Sequence, residues 1–346
     1  MRLRFLGGVA MVVAGAMVAG CGGSDGGAGA GKAKIDDAAM VKQAHAVRAA
    51  NAAKVHANEL GQIPVIMFHR VIAKPAGPDD RTPAQFRADL ERLAKDGYVP
   101  ITAADYVQGE INIPAGKHPV VLTFDDSSPS QLTLSEVGVP APDTAVAILQ
   151  ETAKKYPGFR PVATFYVTGD MFGKTTPEEK AQMLIWLKEN GFDVGNHTLT
   201  HMNMRGRSQK DVTHEIAADQ QLVTSLTGQR PITLALPYGN QPKVKDWALT
   251  GTEGATTYKH AGVFLAGYTP ALAPFDKNFD PEGIPRIRAM DKKGDCVQFC
   301  SVAWLDWLAK NADQRYTSDG DPRTVAYPKF KNPFLAKRAA AWAVPY

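Results

Sequence analysis

Hydrophobic positions along the chain fall into short apolar runs that alternate with longer stretches of mixed character. Each run is bounded by Gly, Pro or polar residues, which is typical of buried strands. The alternation of such strands with helical stretches predicts an α/β fold with parallel strands. About seven strands over roughly 280 residues favour one β/α barrel, distorted or incomplete, over two domains. The predicted strands are residues 63–69, 118–124, 160–167, 191–196, 231–236, 261–267 and 284–290.

Helical stretches with recognisable ends lie between these strands. Thr82, Pro83 and Gln85 form a capping box with proline at the first helical position, and Gly97 ends the helix that they begin. Residues 36–60 are Ala-rich and are expected to form a separate N-terminal helix, so the main domain is predicted to cover residues 61–346. Further helices are expected at residues 143–155, 177–189 and 208–228, the last with Ser208 as its cap.

The first residues of the chain carry a pattern typical of export. The start MRLR is positively charged, and the apolar stretch that follows is too short for a comfortable membrane span. It ends in VAGC, which resembles a bacterial lipobox. Residues 1–20 are therefore expected to be a lipoprotein signal peptide, with Cys21 as the lipidated first residue. Residues 21–35 are rich in Gly and Ala and are expected to form a flexible tether from the membrane. The alternative is an ordinary secretory signal with an incidental cysteine.

Composition and charge limit the kinds of partner. The chain has 346 residues, of which 44% are hydrophobic and 21% charged, as in globular proteins with a substantial core. The net charge of +4 falls to +2 without Arg2 and Arg4 of the predicted leader, because 37 basic residues then face 35 acidic ones. The sequence contains no dense basic run or basic-aromatic patch, so nucleic acid is not an expected partner.

Export also bears on the cysteine pair Cys296 and Cys300. An oxidising compartment favours a disulfide between them. Two cysteines at this spacing on one helix bridge poorly, however, because their side chains are not placed for the required geometry. The sequence favours the disulfide, and two buried thiols remain the alternative.

Two pairs of polar residues follow predicted strands. Asp125 and Asp126 end the run 118–124, where their like charges would repel each other unless a cation lies close by. The run 191–196 leads into HTLTH, in which a helical turn would place His197 and His201 on one face, able to share a metal. A His-His-Asp set with open positions is what a catalytic zinc site requires. The alternative for the histidines alone is two unrelated polar residues in a loop.

Three motifs in this order carry a family resemblance: TFDD at 123–126, HTLTH at 197–201 and LPYG at 236–239. Together they resemble the successive motifs of NodB-type polysaccharide deacetylases, carbohydrate esterase family four, specifically its secreted members. The stretches IPVIMFHRV and DGYVPITAADYVQG are similar to the N-terminal part of those members. The resemblance covers roughly residues 61–290 and implies a distorted β/α barrel that removes acetyl groups from N-acetylated sugars with the help of a metal.

The resemblance also implies a role for each motif residue. Asp126, His197 and His201 would hold a divalent metal, most commonly Zn²⁺ and also Co²⁺ or Ni²⁺, since a His-His-Asp set accepts each of these ions. Asp125 would act as the general base towards a metal-bound water, the nucleophile. The backbone N–H at Tyr238 would stabilise the oxyanion. Adjacent residues of a strand face opposite sides, so the chain must turn at Asp126 for both carboxylates to reach the site.

The sequence departs from the family pattern at three places. Ser127 stands where Gly is frequent, and Ala235 stands where many members have an Arg that pairs with the base. Alternation along 284–290 puts Arg286 and Arg288 on one strand face, and Arg286 is the predicted replacement; the alternative is a solvated pair on the barrel rim. The late Leu-x-His that supplies the general acid is also missing. His69 is its predicted replacement, with a structural histidine at a strand end as the alternative.

These observations predict a hydrolase that removes N-acetyl groups from an N-acetylhexosamine-containing polysaccharide of the cell envelope or outside it. The protein is expected to be exported and held on a membrane by its lipid. A catalytically silent glycan-binding lipoprotein of the same fold is one alternative, and a metallo-hydrolase of another amide or ester is a second. Trp304 and Trp307 have the spacing of an apolar helix face and are expected to pack on the core, with stacking on sugar rings as the alternative.

Overall fold

A computed structural model describes residues 37–346, with side chains from Met40 onward. The predicted signal peptide, Cys21 and the tether lie outside the described residues. The chain divides into two compact units, residues 1–42 and 43–346, and the second contains the sheet and the site. Within the described part of the chain, no helix combines the length and apolar character needed to cross a bilayer.

The centre of the second unit is a parallel sheet of eight strands. Seven strands form a continuous path in the order β10-β1-β3-β4-β5-β6-β9, and β2 pairs with the first half of β3 outside that path. The strands are β1 (Val65–Phe68), β2 (Tyr98–Ile101), β3 (His118–Phe124), β4 (Thr164–Val167), β5 (Asp193–Asn196), β6 (Thr233–Ala235), β9 (Gly262–Phe264) and β10 (Ile287–Arg288).

The sheet curls into a half-barrel, which confirms the predicted distorted barrel of parallel strands. The segment 284–288, which includes β10, lies between β1 and β9. Ile284 bridges to Phe264 on β9, whereas Ile287 pairs with Ile66 on β1. This segment therefore holds the two ends of the curled sheet near each other, although strand pairing there is limited to a few residues.

Nine α-helices accompany the sheet among the described residues. Helix α2 has the capping box predicted for Thr82 and Gln85, and α6 has the predicted cap at Ser208. The short helices α3, α7 and α8 were not predicted, because each is too brief to show a helical period. The helices are α1 (Asp37–Lys54), α2 (Pro83–Lys95), α3 (Ala103–Gln108), α4 (Ala145–Lys155), α5 (Pro177–Glu189), α6 (Gln209–Thr227), α7 (Asp246–Leu249), α8 (Cys296–Phe299) and α9 (Ser301–Lys310).

Four strands outside the main sheet complete the fold. They form an antiparallel pair, β7 with β8, and a parallel pair, β11 with β12. Neither pair was predicted, because the alternation of apolar and polar residues is weak in such short strands. Their ranges are β7 (Thr250–Glu253), β8 (Thr256–Lys259), β11 (Val325–Tyr327) and β12 (Ala343–Pro345).

Both faces of the sheet are buried, as is usual when helices cover a parallel sheet. On β3, Leu122 and Phe124 belong to the outer core, where α2, α4 and α5 pack on the sheet. Val121 points to the other face and belongs to the inner core. Side chains alternate along a strand, so Thr123 and Asp125 continue the row of Val121 on the concave inner face. Period-two alternation therefore aims Asp125 into the curled sheet.

The cap of α2 provides a test of local stability. The Thr82 side chain accepts a hydrogen bond from the backbone N–H of Gln85, and the Gln85 side chain accepts one from the backbone N–H of Thr82. We expect Thr82→Ala to lower the free energy of unfolding by about 1 kcal/mol, since a lost N-cap typically costs that much. Urea unfolding measures the change. Thr82→Ser keeps the acceptor and is the matched control; an equal loss in both variants would contradict the capping role.

Candidate active site

A cleft of about 350 Å³ lies at the carboxyl ends of the strands and is lined by residues of the three motifs. The three motifs reach this cleft by leaving their strands through left-handed backbone conformations. Positive φ angles occur at Asp126 (72°), Thr198 (66°), His201 (56°) and Tyr238 (58°). Such conformations are unfavourable for residues other than Gly and usually persist only where the surroundings impose them.

The turn at Asp126 brings both neighbouring carboxylates to the cleft, as the sequence requires. Ser127 also has a positive φ of 47°, a conformation that Gly adopts most readily. The Ser127 carbonyl accepts a hydrogen bond from the Phe172 backbone N–H at 2.7 Å, and its hydroxyl donates to the Asp170 carbonyl at 3.2 Å. These bonds stabilise a conformation that serine alone would disfavour.

Asp126, His197 and His201 form a group that fits a metal ion. Each offers one ligand atom, and the three atoms lie within 4.8 Å of one another. The Asp126 Oδ1 atom is 3.4 Å from His197 Nε2 and 3.3 Å from His201 Nε2. Three protein ligands with positions left open are typical of a catalytic metal centre. The structure therefore brings together the three residues predicted as ligands.

The imidazole of His197 is oriented for this purpose. Its Nδ1 lies 2.8 Å from the Ala235 carbonyl, which can only accept, so Nδ1 carries the proton and Nε2 presents its lone pair towards Asp126. A second hydrogen bond of this kind is usual for metal-binding histidines. Burial lowers the pKa of His197, but the nearby Asp125 and Asp126 carboxylates reverse the effect and raise it above its ordinary value. The carboxylates thus attract positive charge to this point of the cleft.

Arg286, which the sequence analysis predicts as the partner of Asp125, contacts that carboxylate. Its two terminal guanidinium nitrogens each donate to an Asp125 carboxylate oxygen at 2.7 Å, and both side chains are almost fully buried. The Arg286 Nε donates to the Leu265 carbonyl, and Tyr166 lies beneath the guanidinium group at 5.6 Å. Ala235 is buried on the inner face, so the guanidinium group comes from the segment 284–288 and not from β6. Arg288 instead pairs with Asp79 at the edge of the cleft.

This ion pair determines the protonation of Asp125. Burial alone would raise the pKa of the carboxyl group. The Arg286 guanidinium outweighs burial, with a further contribution from His197, and holds the pKa of Asp125 well below its ordinary value. Asp125 is therefore an ionised carboxylate within a buried site. Its Oδ2 lies 3.9 Å from His197 Nε2, adjacent to the candidate metal position.

His69 and Tyr238 also line the cleft. The Nδ1 atom of His69 is buried and has no hydrogen-bond partner among the described residues. Tyr238 is exposed, and its ring lies 4.8 Å from that of His201. Next to it, Gly239 has a φ of 65°, and a Cβ atom there would lie 2.3 Å from the Ala266 backbone nitrogen. Only glycine therefore allows the LPYG turn to approach the neighbouring chain so closely.

Two supporting residues were not found from the sequence. Glu215 on α6 accepts hydrogen bonds from the Thr200 backbone N–H at 2.9 Å and from its hydroxyl at 2.8 Å, which fixes the loop between the two histidines. The Gln131 side chain donates to the carbonyls of His69 and Asp125 at 2.9 and 2.5 Å and so ties the end of β1 to that of β3. Neither residue belongs to a motif, and each reaches the site only through tertiary folding.

Cys296 and Cys300 are joined by a disulfide, with Cα atoms 4.7 Å apart. Helix α8 ends at Phe299, and Cys300 has an extended backbone between α8 and α9. The unfavourable geometry of two cysteines on one continuous helix therefore does not apply. The expectation that Trp304 and Trp307 pack on the core is wrong. Leu305 and Leu308 form the buried face of α9, whereas Trp307 is 38% exposed and Trp304 only partly buried.

Residues 112–252 match the family model for polysaccharide deacetylases. This part of the chain is similar to a polysaccharide deacetylase domain. The matched range includes Asp125, Asp126, His197, His201 and Tyr238, whereas His69 and Arg286 lie outside it.

Two relatives from Bacillus subtilis (strain 168) are similar to parts of the chain. The peptidoglycan-N-acetylmuramic acid deacetylase PdaC is 32% identical over 120 residues, which are 35% of this chain and 21% of that protein. The putative polysaccharide deacetylase YxkH is 23% identical over 207 residues, 57% of this chain and 64% of that protein. The chain thus spans about a fifth of the length of the first relative and less than two thirds of the second.

Among solved structures, the Streptococcus pyogenes deacetylase PplD in complex with acetate resembles this fold. The superposition has a TM-score of 0.52, with 21% identity, and covers 69% of this chain and 98% of that one. At this level of identity the likeness concerns the fold. It agrees with the curled parallel sheet described above.

The metal group can be tested by binding alone. We expect His197→Ala and Asp126→Ala to weaken zinc binding by more than about 100-fold, because loss of an outer partner of a metal ligand already costs about 10–100-fold. Titration calorimetry with Zn²⁺ measures the affinity, and circular dichroism checks the fold. His214→Ala removes a histidine whose Nδ1 lies 2.9 Å from Glu253 on the exposed surface and is the control. Wild-type affinity in both ligand variants would refute the site.

Proposed function

We propose that the chain is a metal-dependent hydrolase that removes N-acetyl groups from an N-acetylhexosamine-containing polysaccharide. The observation that carries this proposal is the ionised, Arg-paired Asp125 adjacent to the group formed by Asp126, His197 and His201. The deacetylase match across residues 112–252 supports the reaction class, and the names of the two Bacillus relatives support a glycan substrate.

The three candidate ligand atoms also favour some divalent metals over others. Two imidazole nitrogens and one carboxylate oxygen suit Zn²⁺, Co²⁺ or Ni²⁺ better than Mg²⁺ or Ca²⁺, which prefer oxygen ligands alone. A divalent ion held by Asp126, His197 and His201 would polarise the acetamide carbonyl and lower the pKa of the attacking water.

The side chains around this position would move the protons of the reaction. Asp125 would accept a proton from the attacking water as its oxygen forms a bond to the acetyl carbon. The backbone N–H of Tyr238 would donate a hydrogen bond to the carbonyl oxygen as that oxygen gains charge. His69, in its protonated form, would give a proton to the sugar nitrogen as the C–N bond breaks. The products are acetate and a free amino sugar.

Arg286 would keep Asp125 ionised and fixed during this sequence. A bidentate guanidinium-carboxylate pair restricts both the position and the plane of the carboxylate. Since Ala235 provides no guanidinium group, the pair with Arg286 weakens the case for a catalytically silent protein with an incomplete site.

We also propose that the protein is exported and anchored to a membrane by lipid on Cys21. The charged and apolar start, the VAGC sequence and the Gly/Ala-rich tether support this location. The disulfide between Cys296 and Cys300 is a further argument, because such bonds persist in oxidising compartments. A polysaccharide of the envelope would then be within reach of the tethered domain.

Acetate release tests the function. Wild-type protein should release acetate from N-acetylglucosamine oligomers, lose this activity with a chelator and regain it with Zn²⁺. Asp125→Asn should lower kcat by about 10²–10⁴-fold, the usual contribution of a general base, while zinc still binds. Binding of oligomers without acetate release would favour the silent glycan-binding protein. Release from other acyl amides or esters alone would favour a different hydrolase.

His69 can be tested separately. We expect His69→Ala to keep zinc affinity but to lower kcat by about 10²-fold or more, because an amine anion that receives no proton is a poor leaving group. Acetate release measures kcat, and titration calorimetry with Zn²⁺ measures the affinity. His260→Ala, which removes a buried histidine bonded to the Ala248 carbonyl, is the control for structural effects. Near-normal turnover in His69→Ala would exclude its role as general acid.

A further inference from the structure

A group of exposed aromatic side chains extends from one side of the cleft. Tyr268 lines the cleft and is 66% exposed. Its ring lies 6.2 Å from that of Phe299, which is 43% exposed. Trp304 follows on α9, and its ring is 5.5 Å from that of Trp307. We call these four residues, Tyr268, Phe299, Trp304 and Trp307, the aromatic platform.

The platform is held in place by contacts that do not involve its exposed faces. The Trp304 indole N–H donates to the Tyr268 carbonyl at 2.6 Å and so joins α9 to the loop that leads from the cleft. The disulfide between Cys296 and Cys300 encloses Phe299 in a short closed loop. Leu305 and Leu308 attach α9 to the rest of the protein. The rings are therefore presented to solvent on a fixed support.

Neighbouring exposed aromatic side chains are typical of a binding surface, because they leave contiguous apolar area in contact with water. Aromatic rings with a polar group, such as Tyr and Trp, suit ligands that combine apolar faces with polar edges. A pyranose ring has this character: its C–H groups form flat apolar faces and its hydroxyl groups point outward from the edge.

The surrounding charges favour a sugar over a lipid surface. Asp306, between the two tryptophans on α9, forms ion pairs with Arg92 and Lys292. Arg92 also pairs with Asp96, so these two basic groups face two acidic ones. A surface that binds anionic lipid carries an excess of basic side chains instead. The contact between Tyr268 and the cleft also makes the platform continuous with the site of the proposed reaction.

We propose that the aromatic platform binds sugar units of the substrate chain beside the unit that is deacetylated. The proposal rests on the proposed function and adds to it the surface that binds the sugar units next to the reacting one. The platform stacks on successive pyranose rings and holds the chain so that one acetamide group lies in the cleft.

The length dependence of acetate release tests this proposal. For wild-type protein, kcat/KM should increase from the N-acetylglucosamine dimer to the hexamer. In the double variant Phe299→Ala, Trp307→Ala, kcat/KM for the hexamer should fall about tenfold, mainly through KM, while the dimer reacts as with wild type. Phe330→Ala is the matched control, since Phe330 is 68% exposed on a different segment and is not among the cleft residues identified in the described chain.

The outcomes separate the platform from the proposed reaction. If kcat/KM for the hexamer does not change, or falls as much as kcat/KM for the dimer, the proposal for the platform is wrong. Acetate release by wild-type protein would still support the proposed function. Absence of acetate release by wild-type protein would overturn the function. Calorimetric binding of the hexamer to Asp125→Asn, with and without the two platform substitutions, would then still decide whether the platform binds glycan.

A lipid surface is the competing partner and needs its own measurement. Vesicles of mixed zwitterionic and anionic lipid are used with a Cys21→Ser background, so that no attached acyl chain contributes. Equal vesicle binding with and without the platform substitutions is the expected result. Vesicle binding that requires Phe299 and Trp307, together with unchanged oligomer kinetics, would assign the platform to the membrane and overturn the proposal.

Discussion

The buried ion pair between Arg286 and Asp125 is the interaction on which the site depends. Two charges removed from water are stable only when each satisfies the other, and loss of one partner from such a pair commonly costs about 3–5 kcal/mol. Here the pairing is bidentate at 2.7 Å and lies on the concave face of the sheet. It joins the end of β3 to the segment 284–288, which lies between β1 and β9. The ionisation of Asp125 therefore depends on the curl of the sheet, which brings Arg286 to it.

The groups around this pair lie in backbone conformations that the chain would not adopt alone. Asp126, His201 and Tyr238 all have positive φ angles, which carry a local energetic cost. The surrounding structure offsets that cost through Glu215, which binds the histidine loop, and through Gln131, which joins two strand ends. The sheet and helices therefore hold three strained turns in place, and the candidate metal ligands Asp126 and His201 lie in two of them.

The segment around the disulfide lies outside the three motifs but contacts the same cleft. The loop closed by Cys296 and Cys300 and the helix after it place Phe299 and Trp307 on the surface. The Trp304 indole bonds to the backbone of Tyr268, a cleft residue. In this way, the last third of the chain contributes to the cleft both the guanidinium partner of Asp125 and an aromatic surface beside it.

The sequence by itself determined seven of the eight strands of the main sheet, the capped helices, the motif order and the candidate ligands, because burial periodicity and chemical spacing are local properties. It missed β2, which is only four residues long. It also placed Arg286 and Arg288 on one strand face, since alternation requires only the neighbouring residues. Only the tertiary structure decided that Arg286 contacts Asp125 while Arg288 contacts Asp79. That choice depends on how far the sheet curls and which strand ends meet. The support from Glu215 and the exposure of Trp307 were decided in the same way, because both result from packing between elements distant in sequence.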